Sequence, residues 1–90
     1  MLVYNESLDN EVMEILNEVS LKGFTKVGNV FGRGEGSGTH LGTDIWPGLN
    51  NILYIACSEE KLKAFIPKID KLREKFRSEG VKYFILPLET

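Results

Sequence analysis

Hydrophobic positions along this chain switch between two periods, and the switches predict its elements. Residues 1–5, Met-Leu-Val-Tyr-Asn, are short, apolar and β-branched or aromatic in the middle, which suits a strand. Ser7 or Asp9 is then placed to cap a helix, since a side-chain oxygen there can accept from an exposed amide of the first turn. Leu8, Val12, Ile15, Leu16 and Val19 share one stripe at three- and four-residue spacing, with Glu11, Glu14 and Glu18 on the other face. The spacing predicts a first helix over residues 8–22, ended by Gly23 in the left-handed conformation. Phe24 to Gly32 reads as a strand weakened or bulged at Gly28. Asn51 to Cys57 is a continuous apolar run, the pattern of a strand buried on both faces. Ser58 caps a second helix, with Glu59 and Glu60 at the positive end of its dipole. Its stripe is Leu62, Phe65, Ile66, Ile69, Leu72 and Phe76, and Gly80 ends it. Pro67 falls inside that stripe, which predicts a bend in one helix rather than two helices. Val81 to Leu88 is the last strand, and Pro87 marks it as an edge or a strand end.

The order β-α-β-β-α-β predicts an α+β, ferredoxin-like domain over residues 1–90: a four-stranded antiparallel sheet with both helices on one face. Ninety residues and 10.2 kDa leave no room for a second core. Two helices cover only one sheet face. Yet Ile52, Tyr54 and Ala56 alternate with Leu53, Ile55 and Cys57, and Val81, Tyr83 and Ile85 alternate with Lys82, Phe84 and Leu86, so both faces are mostly apolar. An open face of that kind is rare on a monomer, and its simplest cover is another copy of the chain, so a closed homo-oligomer is expected.

Composition narrows the class. A 42% hydrophobic and 27% charged chain is that of an ordinary globular protein. No apolar run approaches the ~20 residues of a membrane helix, and no basic flank followed by an apolar stretch opens the chain. Cys57 is the single cysteine, so neither an internal disulfide nor a cysteine-rich zinc site can form, and a cytoplasmic, reducing setting is expected. The formal charge of −2 gives no general attraction to nucleic acid. Charge is unevenly divided, however: residues 1–22 hold five acids and one base, residues 61–82 eight bases and three acids. Mutual attraction of two helices lying side by side is one explanation; two solvated faces of opposite bias, with little gained from surface pairs, is the favoured one.

Seven of the nine glycines fall between Gly28 and Gly48, and the eighteen residues 33–50 form a longer loop than compact domains usually carry without a function. Arg33, Glu35, Thr39, His40, Asp44 and Trp46 give it ligand- or partner-contacting chemistry, and glycine lets backbone amides approach an anion closely. Gly32-Arg33-Gly34-Glu35-Gly36 is followed by neither a Lys-Ser/Thr pair nor a helix start, so it is neither a phosphate loop nor a dinucleotide fingerprint. Trp46 suits packing of the returning limb. His40 is the single histidine and has no HxxxH or CxxC partner spacing; with Glu35 or Asp44 from neighbouring copies it would make a metal site, the alternative reading. Cys57, ending an apolar strand, reads as a small hydrophobe, and no nucleophile–base–orienter set is visible, so catalysis is not expected. RNA binding on this strand order needs a basic, aromatic third strand; residues 51–57 hold one aromatic, Tyr54, and no base.

The strand order together with Val30-Phe31-Gly32-Arg33-Gly34-Glu35-Gly36, leading into a long loop between the second and third strands, resembles the PII-like signalling proteins of the PII/CutA superfamily. The layout matches along nearly the whole chain, the motif only over residues 30–39. The resemblance implies a homotrimer closed around the open sheet faces, with small effectors bound in clefts between subunits. It also implies that the long loop is the partner-contacting T-loop. Three features depart from nitrogen-regulatory PII proteins. Gly34 stands where those proteins carry a glutamine used in metal and effector binding. Only Ser78, Glu79 and Gly80 lie where they have a glycine- and lysine-bearing phosphate loop. Their basic C-terminal extension has no counterpart before Thr90.

The expectation is therefore a non-enzymatic trimeric regulator or sensor. A small effector, anionic in character, would bind at the subunit cleft through Gly32, Arg33, Gly34, Glu35, Gly36, Thr39 and His40, and residues 33–50 would contact a protein partner. No metal ligand set and no cofactor is named by the sequence. The alternative is a CutA-like metal-binding trimer using His40 with Glu35 or Asp44.

Overall fold

The computed structural model describes residues 1–32 and 49–89. Strand β1 is Leu2–Asn5, followed by one turn of 3-10 helix, Glu6–Leu8, and helix α1, Asp9–Glu18. Strands β2 (Thr25–Val30) and β3 (Asn50–Tyr54) come next, then helix α2 (Glu59–Lys75) and strand β4 (Val81–Tyr83). The sheet runs β2-β3-β1-β4 with every pair antiparallel, the split arrangement of a ferredoxin-like fold, as the element order predicts.

Register decides which residues meet the helices. Leu2 lies opposite Leu53 and Tyr83, and Tyr4 opposite Asn51 and Val81, so these six side chains share a face. Leu2, Tyr4, Leu53 and Val81 are buried there against Leu8, Val12 and Leu16 of the first helical segment and Phe65, Ile69 and Leu72 of α2. Both predicted stripes therefore supply the core, with Ile15, Val19, Ile66 and Phe76 half-buried at its rim. The bases of α2 reach across to α1 in two places. Lys68 Nζ lies 2.6 Å from a Glu18 carboxylate oxygen in an exposed pair of small worth. Lys61 Nζ donates to the carbonyls of Val19 (3.0 Å) and Ser20 (3.3 Å), putting a cation on the negative end of α1.

Several local expectations change. Helix α1 stops at Glu18, short of residue 22, and Ser20 (φ 57°), not Gly23, takes the left-handed position. The Leu21 N–H donates to the Leu16 carbonyl and the Ser20 N–H to that of Asn17, a Schellman closure with Leu16 and Leu21 both buried. Neither Ser7 nor Asp9 caps: Asn5 Oδ1 accepts from the Ser7 N–H (2.9 Å) to start the 3-10 turn, and Asp9 is drawn elsewhere. Ser58 caps α2 as expected, accepting from the Lys61 N–H. Helix α2 continues through Pro67, which is exposed. It ends at Lys75, before Gly80, in a turn in which the Glu79 N–H donates to the Phe76 carbonyl. The bulge in β2 is where the sequence places it. Val27 opposes Ile52 while Val30 opposes Asn50, one residue more on β2, and Asn29 (φ 56°) carries the left-handed conformation in place of Gly28. Strand β3 is buried on one face only, and Tyr54 is 49% exposed. Strand β4 spans three residues rather than eight.

Candidate functional site

The sheet face away from the helices carries Val3, Asn5, Val27, Asn50, Ile52, Tyr54 and Lys82, placed there by the alternation that sends their neighbours inward. Val27 and Tyr54 are more than 40% exposed, and Ile52 and Val3 half-buried. Met1 and Phe84 extend the same face, exchanging backbone hydrogen bonds of 2.8 and 2.9 Å. Apolar side chains of β1, β2 and β3, with Phe84 past the end of β4, share this face with Asn5, Asn50 and Lys82.

At one end of this face lies the neck of the long loop. Val30 pairs with Asn50, and a Cβ added to Gly32 would come within 3.4 Å of the Asn50 side-chain nitrogen, so the outgoing and returning limbs run close together there. The Leu49 carbonyl accepts from the Glu6 N–H at 3.0 Å, tying the returning limb to the end of β1. Of the seven candidate ligand residues, Gly32 sits at this neck. Arg33, Gly34, Glu35, Gly36, Thr39 and His40 lie outside the described residues, as do Asp44 and Trp46. Among the described residues no group of three or more His, Cys, Asp or Glu side chains could hold a metal ion. Cys57 is half-buried at the edge of the core.

On the helix side, sequence reasoning missed a polar cluster. The fully buried Tyr4 hydroxyl donates to Asp9 Oδ1 (2.5 Å), and Asn51 Nδ2 donates to the same oxygen (3.2 Å). Lys26 Nζ pairs with that carboxylate at 2.7 Å. Burial, then the hydrogen bond to the neighbouring carboxylate, pushes the Tyr4 phenol well above its ordinary value. Burial alone would raise Asp9, but hydrogen bonds from Lys26 and Tyr4 outweigh it and hold the carboxyl below its usual range. The network joins β1, α1, β2 and β3. With every member partnered, it works as an anchor for the start of α1. The available signal was parity: Tyr4 and Asn51 are the polar-tipped residues at inward positions of the two central strands.

A second cluster sits between the end of α2 and β4. Asp70, Arg73, Glu74, Arg77, Glu79 and Val81 line an open groove of about 410 Å³. Each arginine there already faces a carboxylate, Arg73 at 3.7 Å from Asp70 and Arg77 at 3.1 Å from Glu74, so the groove presents no unbalanced field for an anion. The Tyr83 hydroxyl donates to Asp70 (3.0 Å) under the Arg73 guanidinium, and this hydrogen bond raises the phenol's pKa. The groups clamp β4 to α2. Among the described residues no helix is long and apolar enough to cross a membrane.

Comparison with protein-family models, with curated proteins and with solved structures gives no match for this chain. The geometry of the open face and of the loop neck therefore carries the functional reading.

Proposed function

We propose that this chain is a PII-like regulatory or sensor protein acting in the cytoplasm. In this reading it is a non-enzymatic homotrimer that binds a small anionic effector at the cleft between protomers. The binding groups are Gly32, Arg33, Gly34, Glu35, Gly36, Thr39 and His40, and residues 33–50 contact the regulated protein. The observation that carries this reading is the apolar sheet face of Val3, Val27, Ile52, Tyr54 and Phe84 with the loop neck at its end. Burying that face between copies removes an apolar patch from water and sets the loop of each protomer beside its neighbour. A cleft made this way gains an arginine and several small residues whose amides can approach an anion.

Sedimentation equilibrium paired with calorimetry on the same sample tests it. The expected result is a particle of three times the 10.2 kDa protomer mass. It should release or absorb heat with at least one of nucleotides, bicarbonate, common anionic metabolites or divalent ions, and Arg33→Ala should lose that heat. A monomer at high concentration, or a trimer silent to every ligand, counts against the reading.

A further inference from the structure

Strand β2 is pinned at its start and poised to slip at its end. Asp9 holds Lys26 of β2 (2.7 Å) and Asn51 of β3 (3.2 Å), which fixes the pairing as far as Val27 and Ile52. Beyond Val27 the register moves on by one residue, to Val30 opposite Asn50. A Cβ on Gly28 would lie 3.5 Å from Asn51 Oδ1, so Gly28 faces Asn51 and Asn29 is the extra residue of the bulge. Asn29 holds φ 56°, a left-handed conformation that is costly for a residue with a Cβ, and the neighbouring glycine does not relieve it.

The residues that follow lack the usual guard against a slip. Shifting a strand by one position normally carries its apolar side chains to the wrong face, and that penalty fixes register. Here Val30 and Phe31 are adjacent and both apolar, so a slip exchanges one for the other. With the bulge, Val30 shares the outer face with Asn50 and is half-buried, while Phe31 is 77% exposed. Without it, Asn29 would stand opposite Asn50 and Val30 opposite Leu49, and alternation would bring Phe31 to the outer face. Each arrangement has a cost. The bulged one strains Asn29 and leaves a residue out of the ladder. The straight one draws Val30 from the outer face and Gly32 from beside the Asn50 side chain. Gly28 and Gly32 flank the segment without a side chain to oppose the move.

We infer that β2 is a two-register strand hinged at Asn29. Its observed form is bulged; in the straight form Val30, Phe31 and Gly32 change faces while Lys26 and Asn51 stay on Asp9. Packing against the outer face selects the straight form, which offers the Phe31 ring there in place of Val30. That selection rests on the closed-oligomer reading above; the exchange of registers does not. In the free protomer the straight form is a minor one, on the order of 0.1–10%, reached in microseconds to milliseconds.

The test is amide relaxation dispersion with cross-strand NOEs on the full chain and on the variants Asn29→Val and Asn29→Gly. In the wild type, amides of residues 29–32 and 49–50 should show exchange that those of Lys26 and Leu53 do not. A β-branched residue resists a left-handed φ, so Asn29→Val should make the straight form the major one, with residue 29 opposite Asn50 and Val30 opposite Leu49. Asn29→Gly removes the strain and should quench the exchange several-fold, with Val30 kept opposite Asn50. A wild type with Val30 opposite Asn50 and no exchange overturns the hinge, and so does a folded Asn29→Val that keeps this pairing. Should Asn29→Val not fold, the wild-type exchange and its quenching by Asn29→Gly decide. Raising concentration through the range of association should increase the straight share several-fold. Exchange in a chain that stays monomeric upholds the hinge and overturns the trimer; a trimer whose registers match those of the dilute chain upholds the hinge and overturns selection by packing.

Discussion

A phenol sealed from water needs an acceptor, and Tyr4 finds one in Asp9, which Lys26 and Asn51 share. Removing the hydroxyl forfeits one charge-assisted hydrogen bond while Asp9 keeps two partners. Tyr4→Phe should therefore lower stability at neutral pH by about 1–2 kcal/mol, read as a shift in urea midpoint. The pH dependence has a defined sign. The folded phenol holds its proton more tightly than an unfolded tyrosine, so its contribution is complete below pH about 10 and is lost as pH rises through the folded value. The gap between wild type and Tyr4→Phe should narrow above pH about 10; a constant gap there would show that the hydroxyl is not what the network stabilises. Asp9 acts in the opposite window. Its lowered carboxyl contributes above about pH 4 and ceases to as pH falls through the folded value, so Asp9→Asn should flatten the acid limb of the stability profile.

Helix ends and interruptions carry the next set of effects. Ser20 holds a left-handed conformation that costs a residue with a Cβ about 1 kcal/mol, so Ser20→Gly should stabilise by roughly 0.5–1 kcal/mol. Pro67 lies in the middle of α2 and cannot donate to the carbonyl four residues back. Since its ring is exposed and packs no core, Pro67→Ala should raise the urea midpoint by the equivalent of about 1–3 kcal/mol. A loss of stability would instead assign the ring a contact that matters. Both helix stripes and the Ser58 cap were legible because a 3.6-residue period and a capping oxygen are local facts. The end of α1 was not. Gly23 is the better left-handed residue, but burying Leu21 against Leu16 fixes the turn three residues earlier. Strand β4 was overread for a related reason: an apolar run is a strand only where another strand pairs with it, and β1 supplies partners only as far as Phe84.

For the whole molecule, the open sheet face makes stability a matter of concentration. If copies bury it, the thermal midpoint should rise as protein concentration increases about hundred-fold, because association favours the folded protomer by mass action. A midpoint independent of concentration would place the apolar face in water in the working protein. The same face shows how much of the candidate site could be read in advance. Alternating apolar residues on the third strand announced an uncovered surface, but register selects Val27, Ile52 and Tyr54 for it and turns Asn51 inward to Asp9.

Order of elements, helix faces, the bulge near Gly28 and an apolar sheet with one side to spare all follow from the chain itself, since each depends on periodicity, capping or turn chemistry within a few residues. The Tyr4–Asp9–Lys26–Asn51 anchor, the Ser20 closure and the meeting of Gly32 with Asn50 depend on residues brought together from distant positions. Only folding decides those, because a buried polar group takes whichever partner the packed elements place within hydrogen-bonding reach.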